Sequence, residues 1–171
     1  SPHYHPMSQG MALEGMRIVK DNLLTAYAEP KNPTARGEMM SAALMGATAF
    51  QKGLGAIHAL SHPIGAVHHT HHGMTNAVFM PTVLKFNRPA IEDRLASAAA
   101  YLGIEGGFDG FCAYVDELCE ALSVPKSLTV LGVENPDVEA LAVMAATDPS
   151  CGGNPIPLNK ENLAELYRAA L

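Results

Sequence analysis

The sequence predicts an all-α fold, a helical bundle, and three observations carry that prediction. Apolar residues recur at helical spacing through most of the 171 positions, with short Gly, Pro and Asn loops between the periodic runs. Val-rich alternation of the strand type is almost missing, and Leu128 to Val133 is the single short candidate. Hydrophobic residues make up 48% of the chain against 16% charged, enough for one buried core and too apolar for a disordered chain.

The first helix is expected from Met7 to about Ala28. Met11, Leu13, Met16, Ile18, Val19, Leu23 and Leu24 recur there, with Glu14, Arg17, Lys20 and Asp21 between them. Ala28 to Pro33 is a stop, because proline lacks a donor and turns its predecessor away from helix. Thr34 is the expected N-cap of the next helix, with Gly37 and Glu38 in its first turn. From Ala35 to His58 the text is Met-, Ala- and Leu-rich with few charges, so one long helix is expected, central in the core. Gly46, Gly53 and Gly55 within it suggest close packing against a neighbour. Gly73 to Phe86 reads as another buried helix, which Pro81 should kink or split. Ala90 to Tyr101, Gly110 to Leu122, Pro136 to Ala146 and Lys160 to Ala170 each carry one apolar face.

Charge and cysteine content exclude several function classes. Lys and Arg total 11 against 17 Asp and Glu, a net charge of −6 with no basic run, which argues against nucleic acid. No apolar stretch runs unbroken for the ~20 residues of a membrane span. Cys112, Cys119 and Cys151 are an odd number without CxxC, so neither a disulfide framework nor a zinc ribbon fits, and a reducing cytoplasm is expected. The chain opens Ser-Pro-His-Tyr-His-Pro with no initiator Met and no signal region, which reads as a piece of something longer.

Histidine is unevenly placed. Six of the eight lie between His58 and His72. His58 and His62 are four apart, so on a continuous helix they share a face, and His72 sits at the mouth of the next helix. Two imidazoles on one helix and a third reaching in from a helix start suit a borderline divalent cation such as Zn²⁺ or Fe²⁺. The competing reading is a set of core histidines bonded to carbonyls. For His68, His69 and His71 the reading is an exposed loop.

The surrounding text carries a longer signature. Gly53-Leu54-Gly55-Ala56-Ile57-His58-Ala59-Leu60-Ser61-His62-Pro63-Ile64-Gly65, then His72-Gly73-Met74-Thr75-Asn76-Ala77, Pro81 and Phe86-Asn87 span about 35 residues. Together they resemble the iron-containing alcohol dehydrogenase family. Tyr4-His5-Pro6-Met7 with Ala12-Leu13-Glu14, and Asp148-Pro149-Ser150-Cys151-Gly152-Gly153-Asn154-Pro155, extend the likeness over essentially the whole chain.

The resemblance implies that His58 and His72 are metal ligands, for Fe²⁺ or alternatively Zn²⁺. It places His62 between the metal and a nicotinamide, NAD or NADP, where it relays a proton or touches substrate. It puts Cys151 near the substrate pocket, with a small loop thiol of no role as the alternative. Phe50 lies shortly before the ligand segment and is a candidate for the same pocket, plain core being the alternative. The implied substrate is a small alcohol or aldehyde, and the implied assembly a homo-oligomer.

Two family features are missing from the text. No Asp is followed by His four residues later, so the other two ligands are expected upstream. Gly53-Leu54-Gly55 has His58 where a third glycine is needed and follows a helix, so it is no dinucleotide fingerprint. Residues 1–171 are therefore expected to form the C-terminal helical metal-binding domain of a dehydrogenase about twice as long, inactive when isolated. The alternative is a non-catalytic helical module that binds a metal or a partner.

Overall fold

A computed structural model describes every residue from Ser1 to Leu171. It contains seven α-helices and no strand: α1 (Pro6–Ala28), α2 (Pro33–Ala49), α3 (Ala56–His68), α4 (His72–Tyr101), α5 (Gly107–Ala121), α6 (Val138–Ala146) and α7 (Lys160–Ala170). Two 3-10 turns, Phe50–Lys52 and Pro149–Gly153, complete the regular structure. The chain folds into two compact units. One comprises Ser1–Pro2, Gly53–Glu92 and Ser123–Leu171, and the other His3–Lys52 and Asp93–Leu122. No helix is long and apolar enough to cross a membrane.

In the second unit α1 packs along α2. Gly15 is buried at this contact, where an added Cβ would meet Met45 Cβ at 3.4 Å, an ordinary van der Waals distance. The His5 ring caps α1 by accepting the Ser8 N–H at 3.1 Å. The cap of α2 is Asn32, whose side chain accepts the Ala35 N–H at 3.1 Å, and not Thr34 as expected. Pro33 then stands at the first helical position, where its missing N–H costs nothing. Tyr101 donates to Glu14 at 2.8 Å, and Glu14 also holds Arg17.

The expected long helix from Ala35 to His58 is two helices. It stops at Ala49, turns through Phe50–Lys52, passes Gly53 at φ +81°, and restarts at Ala56. The restart is fixed from far away: Asn154 Oδ1 accepts the Ala56 N–H at 3.1 Å. Nor is α2 central. Only Ala35 and Ala42 are buried on it, while Met40 is 73% and Leu44 69% exposed. Apolar side chains surround this helix, and packing along one line against α1 covers a single face.

Pro81 does not divide the next element. α4 runs unbroken from His72 through Pro81 and Pro89 to Tyr101, joining two stretches expected to be separate. Each proline forfeits one backbone bond, and burial of Val78, Phe79 and Val83 along the same helix outweighs that local loss.

The core of the first unit joins α3, α4, α6 and α7 through Leu60, Ile64, Phe79, Leu141, Leu163 and Tyr167. Tyr167 donates to the Leu60 carbonyl at 2.8 Å and stands edge-on to Phe79 at 5.7 Å. Leu128 to Val133 is no strand. It is a turn-rich loop whose two ends are fully buried, held by the Leu128 N–H on the Ala170 carbonyl at 2.7 Å. α5 starts at Gly107 and α6 at Val138, the latter capped by Asp137 on the Ala140 N–H.

Candidate metal centre

Helical spacing does for His58 and His62 what the sequence suggests. They lie one turn apart on α3, and His72 is the first residue of α4. The three rings form a triangle, with centroids 5.7 Å apart for His58–His62, 5.3 Å for His58–His72 and 5.5 Å for His62–His72. Asn76, one turn along α4 from His72, points its amide nitrogen at two of them. Its Nδ2 donates to His72 Nε2 at 3.1 Å and to His58 Nε2 at 3.4 Å. In this arrangement both accepting nitrogens carry lone pairs, directed at a shared point.

The electrostatics agree. Burial, followed by the neighbouring His72 and His62, pushes the His58 pKa below its ordinary value, while Asp148 opposes weakly. A neutral imidazole is the form that ligates a cation. No three His, Cys, Asp or Glu side chains are arranged to hold a metal ion by themselves. The donor set in these residues therefore fits two ligands of a borderline divalent ion, with the remainder to be supplied from elsewhere.

His62 is held differently. Its Nδ1 donates to Asp148 Oδ2 at 2.8 Å. Asp148 also caps the 3-10 turn Pro149–Gly153 by accepting the Ser150 N–H at 2.8 Å. Burial opposes ionisation of Asp148, but hydrogen bonds from Ser150 and His62 outweigh it and hold the carboxyl below the usual carboxylate range. His62, Pro63, Ala66, Met144, Thr147 and Asp148 line a hollow of about 270 Å³. His58 lines another, of about 220 Å³, with the Gly53–Gly55 loop, Asn87 and Asn154.

Asn87 and Asn154 bond each other reciprocally, Nδ2 to Oδ1, at 3.0 and 2.9 Å. This buried pair ties α4, the Cys151 loop and the start of α3 together. Gly153 is obligatory in that loop, because a Cβ would lie 1.7 Å from the Leu54 carbonyl oxygen.

The other candidates are placed as follows. Cys151 is half-buried and donates its thiol to the Ala145 carbonyl at 3.1 Å. Burial and the Asp148 carboxylate push its pKa up, so it stays protonated. Phe50 belongs to the second unit and is 56% exposed. His69 is an exposed left-handed C-cap of α3, and His71 accepts the Met74 N–H at 3.3 Å. His68 is half-buried at the end of α3. Asp148 and Asn76 went unrecognised as site residues in the sequence. Asn76 had a signal, standing four residues after His72, but Asp148 is 86 residues from the histidine it holds.

The model of the Fe-containing alcohol dehydrogenase family, C-terminal, matches residues 1–171. The chain belongs to the iron-containing alcohol dehydrogenases. Similar members include 4-hydroxybutyrate dehydrogenase of Cupriavidus necator, 34% identical over 100% of this chain and 46% of its own length. Another is 1,3-propanediol dehydrogenase of Citrobacter freundii, 30% identical over 97% of this chain and 45% of its own. A crystal structure of 1,3-propanediol oxidoreductase superposes with a TM-score of 0.94 at 30% identity, covering 100% of this chain and 47% of that one. The chain thus spans about half the length of the curated relatives it matches.

Proposed function

We propose that this chain forms part of a metal-dependent, NAD(P)-linked alcohol dehydrogenase or aldehyde reductase, supplying two metal ligands and part of the substrate pocket. The observation that carries the reading is the convergence of His58 Nε2 and His72 Nε2 on one amide nitrogen. Those two nitrogens hold Fe²⁺ or Zn²⁺. The chemistry supplied by the bound groups is Lewis-acid polarisation of the substrate oxygen by the cation and hydride exchange by the nicotinamide.

This chain's residues do the rest. Asp148 keeps the proton of His62 on Nδ1, which leaves Nε2 free to take the hydroxyl proton of an alcohol or return it to an aldehyde. Cys151 is assigned to the substrate side on the family resemblance. Relatives named for 1,3-propanediol, 4-hydroxybutyrate and methanol support a short, polar alcohol or aldehyde. Two ligands and no glycine-rich phosphate loop make residues 1–171 inactive when isolated. The complete enzyme is a cytoplasmic homo-oligomer.

The test is cation content and turnover in the whole protein. His58→Ala and His72→Ala should each lower Zn²⁺ or Fe²⁺ affinity by at least about tenfold. His62→Ala should keep the cation and lose most NAD(P)-linked oxidation of short alcohols. Wild-type cation content in both ligand variants would overturn the site. Bound cation without any such oxidation would favour a non-catalytic metal-binding module instead.

A further inference from the structure

We propose that Asn76 is a positioning residue for the cation: its amide nitrogen stands between His58 and His72 as a place-holder and keeps their Nε2 lone pairs converged until a cation displaces it. The proposal rests on the reading of His58 and His72 as ligands, and on the geometry of one side chain. Asn76 Nδ2 carries two hydrogens and spends them on His72 Nε2 at 3.1 Å and His58 Nε2 at 3.4 Å. An imidazole nitrogen that accepts has no proton of its own. Each ring is thereby held as the Nδ1–H tautomer, which leaves Nε2 as the donor nitrogen for a metal.

The opposite end of the same side chain bears on displacement. Asn76 Oδ1 is buried and has no hydrogen-bond partner. A buried carbonyl without a donor is an unusual expense in a folded protein. Nothing therefore anchors the amide from behind, and moving it sacrifices only the two bonds to the imidazoles. Those are the bonds a cation replaces, since one lone pair cannot both accept an N–H and ligate a metal. Turned the other way, Oδ1 would face the rings and require Nε2–H on both, a form that binds no cation. Each orientation of the amide thus goes with one tautomer of the two rings, and the orientation observed, Nδ2 toward both Nε2 atoms, goes with the one that leaves Nε2 for a cation.

Position on the helix explains why this residue can do so. Asn76 is one turn after His72 on α4, so the two side chains lie on one face, and that face meets His58 of α3. A leucine of similar size would fill the space and orient nothing.

The experiment uses the whole protein with ¹⁵N-labelled histidine, titrated with Zn²⁺ and followed by calorimetry and ring-nitrogen shifts. Without cation, wild type should show His58 and His72 with Nε2 as a lone-pair nitrogen. Asn76→Leu should lose that tautomer preference and bind Zn²⁺ about tenfold more weakly or worse. Asn76→Asp keeps the shape and offers only acceptors, so the Nε2 atoms should move to the N–H form. Unchanged ring shifts in either variant, or Zn²⁺ affinity within about twofold of wild type in Asn76→Leu, overturn the proposal. If wild type itself takes up no Zn²⁺, the ligand reading falls and this proposal with it. Zn²⁺ uptake by wild type that is lost in His58→Ala but unaltered in Asn76→Leu sinks the proposal alone.

Discussion

The carboxylate of Asp148 accepts the Nδ1–H of His62 at 2.8 Å, across 86 residues of sequence. A carboxylate, which only accepts, keeps the proton on the ring nitrogen it bonds and so fixes which nitrogen is left for chemistry. Asp148 is itself held by the Ser150 N–H on its other oxygen, so it cannot swing away without uncapping the 3-10 turn.

Asp148→Asn should therefore lower kcat of the whole protein by about tenfold to a hundredfold, while bound cation stays at the wild-type level. An amide can still bond the ring, but it can donate as well as accept and so no longer selects the Nδ1–H tautomer. Steady-state kinetics beside metal analysis make the check. A kcat within about twofold of wild type would remove Asp148 from the mechanism.

Tyr167→Phe should destabilise the fold by about 1–3 kcal/mol. Tyr167 is 1% exposed and its hydroxyl serves the Leu60 carbonyl, inside the helix that carries His58 and His62. The ring contact with Phe79 survives the change, so the loss isolates the hydrogen bond. Urea denaturation measures it, and an unchanged midpoint would show that water or a relaxed helix takes over the carbonyl.

Glu14 yields a prediction on pH. Hydrogen bonds from Arg17, and next from Tyr101, hold its pKa at about 2 against an ordinary 4.5. The folded pKa is the lower one, so the unfolded chain binds the proton first as acid is added. The stabilisation is complete above about 4.5 and disappears as pH falls toward 2. Wild type should exceed Glu14→Gln in urea midpoint near neutrality, with the gap closing in acid. Because these groups are exposed, salt should shrink the gap as well. A gap independent of pH would mean the carboxylate's charge contributes nothing.

What can be read locally was legible. α1 begins one residue before the expected Met7 and ends at Ala28, and α7 matches from Lys160 to Ala170. Their apolar residues repeat with the helix period, and capping groups lie within three residues. The one-turn spacing of His58 and His62, and the entry of His72 at a helix start, follow from the same short-range geometry. The placement of His58, His62 and His72 was thus legible from spacing, and the roles proposed for them rest on the family resemblance.

The rest required the folded chain. No local rule ends α2 at Ala49 or carries α4 through Pro81 and Pro89. The break before α3 is settled by Asn154, which is 98 residues from the Ala56 N–H it caps. Asp148 beside His62, and the Asn76 amide shared between His58 and His72, join separate helices and a turn. By itself the sequence determined the helical class, the family and which histidines can share a face, because periodicity and spacing act over one or two turns. Only the tertiary structure decided that α2 stops at Ala49 and α4 runs on to Tyr101, and which carboxylate and amide bond each imidazole, because those depend on contacts between residues far apart along the chain.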